Sequence, residues 1–148
     1  MFDEYLIPLY LIYRMNGEIR GRTRVQKLIF LAKEELKQRN LNINIRFTAW
    51  AYGPFSRDLM DALKIQVKEG VLLESCEESP WGIVYVYRLT ENGRELIESA
   101  LERGLLEKEV REKVDEIVDK YGSMPLPQLI SKIYNEYSEY TPEQAFLY

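Results

Sequence analysis

The chain has 148 residues, 46% apolar and 30% charged, which is typical of one folded domain with its own core. It has no histidine and a single cysteine, Cys76, which excludes Ser-His and Cys-His catalysis, His-ligated metals and an intrachain disulfide. No apolar run approaches the ~20 residues that span a bilayer. We therefore expect a cytoplasmic protein that uses no cofactor or metal and does not enter a membrane.

The formal net charge of −4 hides a difference between the two halves of the chain. Residues 1–70 contain 12 Lys and Arg against 8 Asp and Glu, whereas residues 71–148 contain 8 against 16. Such asymmetry favours a basic interaction surface on the first half. The negative total argues against nucleic-acid binding by the whole surface, which usually accompanies a basic domain.

Two helices are predicted in the first forty residues. The first covers residues 4–15, and the turn residues Asn16 and Gly17 end it. The second covers residues 21–36, where Thr23 as N-cap and Gln26 match a capping box. Apolar residues on more than one side of this second helix predict that it is the buried centre of the fold. They are Val25, Leu28, Ile29, Phe30, Leu31, Ala32 and Leu36.

A short strand is predicted next, over residues 45–52, where apolar and polar side chains alternate. Gly53 and Pro54 end this strand. We expect the aromatic side chains around this break to form a core cluster beneath the turn. They are Trp50, Tyr52 and Phe55.

A third helix and a hairpin follow. Ser56 is the expected N-cap of a helix over residues 57–69. Residues 71–77 and 83–89 predict the two strands of the hairpin, with Trp81 at its tip. The chain then becomes helical again. The further helices are predicted over residues 91–103 and 106–121, after Pro125, and after Thr141.

This order of elements predicts an α+β, winged-helix-like fold: a helix-turn-helix plus a β-hairpin wing, with a C-terminal helical extension. We expect residues 1–104 to form the winged-helix-like core and residues 105–148 to form the extension, packed on the same domain. In a winged helix, the third helix enters the major groove of DNA.

Several motifs resemble known families. GRTRVQKLIFL at 21–31 and YGPFSRDL at 52–59 are similar to the YwgA-type family of small archaeal and bacterial proteins, and so are the later stretches VKEGVL, YRLTENG and YSEYT. QKLIFLA at 26–32 and AWAYGP at 49–54 resemble the Panacea-type antitoxin domain, over residues 20–65 only. The second resemblance implies neutralisation of a toxin by direct contact. Neither resemblance implies a catalytic residue or a cofactor.

Two functions remain open, and the first is a DNA-binding winged helix that regulates transcription. Its basic side chains would contact the phosphates of duplex DNA, and a homodimer would pair two half-sites. The acidic hairpin tip and the carboxylates of the third helix oppose this function. The expected contact residues lie at the start of the second helix and on the third: Arg20, Arg22, Arg24, Lys27, Arg57, Lys64 and Lys68.

The alternative is a protein-interaction module, either an antitoxin-like neutraliser or an assembly subunit without DNA binding. Trp81, Tyr137 and Tyr140 are the expected interface residues, because tryptophan and tyrosine are enriched at interfaces. The acidic second half would suit a basic partner. We do not expect an enzyme. Glu35 and Lys37 resemble part of a nuclease site, but such a pair would need to lie on a strand, whereas these two lie on a predicted helix.

Overall fold

A computed structural model describes residues 3–50, 53–80 and 82–140. In these ranges the fold is mixed α+β, with six helices and two small antiparallel sheets. The helices are α1 (Asp3–Arg14), α2 (Arg22–Lys37), α3 (Arg57–Lys68), α4 (Glu91–Glu102), α5 (Lys108–Tyr121) and α6 (Leu126–Glu136), followed by a 3₁₀ turn at Ser138–Tyr140. The strands are β1 (Glu18–Arg20), β2 (Thr48–Trp50), β3 (Gly53–Phe55), β4 (Leu72–Ser79) and β5 (Gly82–Leu89).

Helix α2 lies at the centre of the fold, as its apolar pattern predicts. Every residue from 25 to 32 is buried. The helix contacts α1, α5 and α6, and also the strands β1, β3 and β5. Because neighbours cover several of its sides, α2 needs apolar side chains around most of its circumference.

The start of α2 differs from the prediction. Its N-cap is Gly21, with φ 97° and no side-chain cap bond, and the helix begins at Arg22. A backbone angle of this kind favours glycine. The predicted capping box is therefore wrong, because Thr23 lies inside the first turn and the Gln26 side chain bonds to Ser56 instead.

The larger sheet has the strand order β1-β5-β4. The predicted hairpin is confirmed, and its register runs from Leu72 opposite Leu89 to Ser79 opposite Gly82. Trp81, at the predicted tip, lies outside the described residues. Residues 18–20, between the first two predicted helices, form β1 and pair with β5.

The smaller sheet is the hairpin of β2 and β3. Of the strand predicted over residues 45–52, the described part that pairs with β3 is Thr48–Trp50, so the strand begins later than predicted. Ala51 and Tyr52, the latter one of the predicted core aromatics, lie outside the described residues. Upstream, side chains bond to the main chain where a neighbouring strand would: the Lys33 ammonium donates to the Ile45 carbonyl, and the Arg46 N–H donates to a carboxylate of α3.

This hairpin occupies the connection between α2 and α3, which a helix-turn-helix would make with a short turn. The winged-helix assignment and the division near residue 104 therefore remain predictions.

The helices α4, α5 and α6 are confirmed, and α5 and α6 both contact α2. The helix predicted after Thr141 lies outside the described residues. Within the described ranges, no helix has the length and apolarity needed to cross a bilayer.

Candidate functional site

The site begins with a reciprocal pair of hydrogen bonds between α2 and the residue that starts α3. The Gln26 side-chain amide donates to the Ser56 carbonyl over 2.9 Å, and the Ser56 N–H donates to Gln26 Oε1 over 2.7 Å. The Ser56 hydroxyl also accepts the Leu59 N–H, as an N-cap does. Both Gln26 and Ser56 are buried. The end of β3 is thereby held against the central helix.

The next residue of α2 bonds to the strand β3 of the same hairpin. The Lys27 ammonium donates to the Pro54 carbonyl over 3.1 Å, and the side chain is only 3% exposed. Gly53 has φ 100°, and a Cβ there would lie 3.1 Å from Tyr134 and 3.4 Å from the Lys27 nitrogen. Only glycine combines this backbone angle with so close an approach. Burial lowers the pKa of Lys27 to about 8.

A pocket of about 220 Å³ opens beside Lys27. Its walls come from the first turn of α2, from the β2–β3 hairpin and from α3. None of the described residues that line it is acidic. The lining that matters for binding combines cations, a hydroxyl and apolar surface: Arg22, Thr23, Lys27, Trp50, Phe55 and Met60.

A second pocket, of about 310 Å³, shares lining residues with the first. The Trp50 and Phe55 rings line both pockets, with their centroids 5.5 Å apart. Trp50 is nonetheless 59% exposed, so the predicted core cluster is wrong for this residue. Phe47 packs on Phe30 in the core instead, at 5.3 Å between ring centroids. The remaining residues that line the second pocket are Arg46, Thr48, Arg57 and Asp58.

Three of the arginines proposed for DNA contact form contacts with other residues of the protein. Arg20 forms an ion pair with Glu77 of β4. The Arg22 guanidinium lies 3.6 Å from the Tyr85 ring centroid and donates to Glu74 over 3.2 Å. Arg24 contacts the main chain near the end of α5. Its guanidinium donates to the carbonyls of Gly122 and Met124, just after α5 ends.

The remaining proposed DNA contacts lie on α3. Arg57, Lys64 and Lys68 are exposed there, and Arg57 lines the second pocket. The carboxylate of Asp58, on the same helix, is held by two side-chain hydrogen bonds from Arg46, which lower its pKa. The structure thus brings Arg22 and Lys27 together at one pocket, while Lys64 and Lys68 line neither. The role of these seven residues in DNA binding remains a prediction.

The aromatic residues proposed for a protein interface lie elsewhere. The rings of Tyr137 and Tyr140 meet Phe30 edge-on, at centroid distances of 5.2 and 4.8 Å. Both are half-buried against the core, and their role at an interface remains a prediction.

The exposure of Trp50 is not among the sequence predictions. Its spacing from Phe47 could have indicated it, because residues three apart in an extended segment point to opposite faces, and Phe47 packs on the core.

The sequence model of one protein family, described as Antitoxin SocA-like, Panacea domain, matches residues 25–140. The match includes the residues that build both pockets apart from Arg22 and Thr23, and it extends well beyond the 20–65 range predicted for this resemblance. No curated protein matches the chain. The resemblance to the YwgA-type family remains a prediction.

Replacing Gln26 by leucine should destabilise the protein strongly. The change removes both bonds to Ser56 and leaves a buried N–H and a buried carbonyl without those partners. We expect the free energy of unfolding to fall by about 3 kcal/mol in urea denaturation. The matched control is Gln38→Leu at the exposed end of α2, which should change it by less than about 0.5 kcal/mol. Equal effects of the two changes would contradict the role given to Gln26.

The protein should become more stable as the pH rises from about 8 to about 10. The folded chain releases the Lys27 proton near pH 8, whereas the unfolded chain keeps it up to the ordinary pKa of 10.5. The unfolded chain therefore binds more protons in this interval, and the free energy of unfolding should rise by about 2 kcal/mol. Above this interval buried tyrosines act oppositely, since burial raises the pKa of Tyr87 to about 12.

Urea denaturation across this pH range measures the effect. In a Lys27→Met variant the rise should disappear, because methionine fills the same space and does not titrate. A rise of the same size in that variant would assign the effect to another group.

Proposed function

The chain belongs to the Antitoxin SocA-like, Panacea domain family, and we propose that it is an antitoxin-like protein that acts by binding a protein partner. The observation that carries the proposal is Trp50, which is exposed and lines two pockets. We propose no catalytic step, since the pocket residues offer cations and apolar surface for binding.

Trp50 has the properties of an interface anchor. Tryptophan is enriched among the residues that dominate binding energies, and these residues lie in the middle of a contact rather than at its rim. Trp50 lines two pockets that are open to partner side chains, with Phe55 beside it. A partner that fills both pockets would remove much of the exposed ring from water, which gives a large apolar gain.

The strand β3, which pairs with the strand that carries Trp50, is held by the central helix. Gln26 bonds to Ser56 at the end of β3, and Lys27 bonds to the carbonyl of Pro54 within it. Binding to a surface that is rigid beforehand loses less conformational entropy than binding to a mobile loop. Arg22 and Arg46 are paired with Glu74 and Asp58, whereas Lys27 in the first pocket and Arg57 in the second form no ion pair with a described residue. These two cations suit a partner surface with acidic groups. That sign is opposite to the one expected from the acidic second half.

The test uses Trp50→Ala, with Leu73→Ala as the matched control. Leu73 is an apolar residue of β4 that is 58% exposed, close to the 59% of Trp50. A protein captured by the wild-type chain is purified, and its affinity for each variant is measured by calorimetry. We expect Trp50→Ala to weaken binding by about 30-fold and Leu73→Ala by less than about fivefold.

The antitoxin role needs a second readout. The captured protein is expressed alone and together with each variant, and the growth of the host cells is followed. It should stop growth when expressed alone. Growth should recover with the wild-type chain and with Leu73→Ala, but not with Trp50→Ala. A captured protein that binds Trp50→Ala as tightly as wild type would contradict the proposed surface.

DNA binding by a winged-helix-like fold is the second candidate, and the exposure of Arg57, Lys64 and Lys68 on α3 favours it. Binding of labelled duplex DNA is measured by anisotropy across a salt series. We expect no salt-dependent binding, since the arginines at the start of α2 are engaged within the protein. Binding that weakens with salt, with a shallower slope in the triple alanine variant of these three residues, would favour the second candidate.

A further inference from the structure

We propose that the pocket beside Lys27 binds a carboxylate of the partner, carried by an aspartate or glutamate next to an apolar residue that packs on Trp50. This inference rests on the proposed function and specifies which chemical group of the partner the surface recognises. The carboxylate would pair with the Lys27 ammonium, and the apolar neighbour would cover the ring.

A comparison with Lys113, which is about equally buried, shows that Lys27 lacks an ion-pair partner among the described residues. Lys113 is 4% exposed, and its ammonium donates to Glu35 over 3.0 Å and to Glu116 over 2.9 Å. Lys27 is 3% exposed, and within the described part of the chain its ammonium donates to the Pro54 carbonyl and forms no ion pair. A buried charge is costly unless an opposite charge and hydrogen bonds compensate it. Lys113 has that compensation inside the protein, whereas Lys27 faces a pocket.

The other polar groups around the pocket support an anionic ligand. Arg22 lines the same pocket, where Tyr85 and Glu74 hold its guanidinium in place and Glu74 offsets part of its charge, so that Lys27 is the uncompensated cation among the described lining residues. The first turn of α2 contains no acidic residue, and the hydroxyl-bearing Thr23 lines the same wall. Burial lowers the pKa of Lys27, and no nearby negative charge in the described part of the chain offsets this effect. A bound carboxylate should therefore raise the pKa of Lys27.

The apolar wall determines which anion fits. Trp50, Phe55 and Met60 face the same space of about 220 Å³ as the two cations. A phosphate would need several charge-assisted donors and would gain nothing from these rings. A carboxylate on a short aliphatic stem places its charge at Lys27 and its methylene groups against the apolar wall. A peptide segment supplies the adjacent apolar side chain as well, which a free small acid does not.

The test compares two blocked tripeptides on the full chain, Phe-Glu-Leu and Phe-Gln-Leu, which differ in charge but hardly in shape. Affinities are measured by calorimetry, and the side-chain NMR signals of Lys27 are followed through a pH titration. We expect the Glu peptide to bind at least about tenfold more tightly than the Gln peptide and to raise the pKa of Lys27. In Lys27→Met, with folding checked by circular dichroism, the two peptides should bind alike.

Several results would overturn the proposal. These are equal binding of the two peptides to the wild-type chain, no binding of the Glu peptide, or a Glu preference that survives in Lys27→Met. The titration of Lys27 is done on the wild-type chain, so it does not depend on the folding of the variant. Free glutarate that binds as tightly as the Glu peptide would assign the pocket to a small acid and would also overturn it.

The outcomes separate this inference from the proposed function. If Trp50→Ala loses the protein partner while the Glu and Gln peptides bind alike, the docking surface stands and the carboxylate inference fails. If the Glu peptide binds selectively while Trp50→Ala keeps full affinity for the captured protein, the proposed function fails at this surface, and with it the assignment of the carboxylate to that partner.

Discussion

The candidate site depends on one reciprocal interaction, the pair of hydrogen bonds between the Gln26 amide and the main chain of Ser56. These bonds join the central helix to the point where β3 ends and α3 begins. Because both partners are buried, the bonds do not compete with water, and losing them would leave polar groups unsatisfied. The neighbouring bond from Lys27 to Pro54 holds the middle of β3. Together these bonds fix β3, the strand with which the segment carrying Trp50 pairs.

Buried charge is handled in two different ways in this protein. Around Lys113, two carboxylates neutralise the ammonium, and the hydrogen bonds from Lys113 and Lys120 lower the pKa of Glu116 to about 2. Around Lys27, the described residues supply a carbonyl and an open pocket. The first arrangement joins α2 to α5. The second leaves a charge that the described part of the chain does not compensate, and local departures of this kind concentrate at functional sites.

The charge difference between the two halves of the chain is partly used within the fold. Arg20 pairs with Glu77 and Arg22 with Glu74, so basic residues of the first half meet acidic residues of β4. Of the arginines that suggested DNA contact, Arg20 therefore joins two strands of the sheet, and Arg22 joins the start of α2 to β4. Sequence totals cannot reveal this, because they count charges without showing which ones meet.

The sequence by itself determined the elements that depend on local patterns: the central α2, the β4–β5 hairpin and helices α4 to α6 follow from periodicity, caps and turn residues. Its QKLIFLA and AWAYGP motifs also indicated the family. Only the tertiary structure decided how those motifs act. Gln26 matched a local cap, yet it bonds to a residue 30 positions away, and Trp50 matched a core aromatic, yet it lies exposed. Periodicity records which face a side chain takes, whereas partners and burial depend on which distant segments meet there.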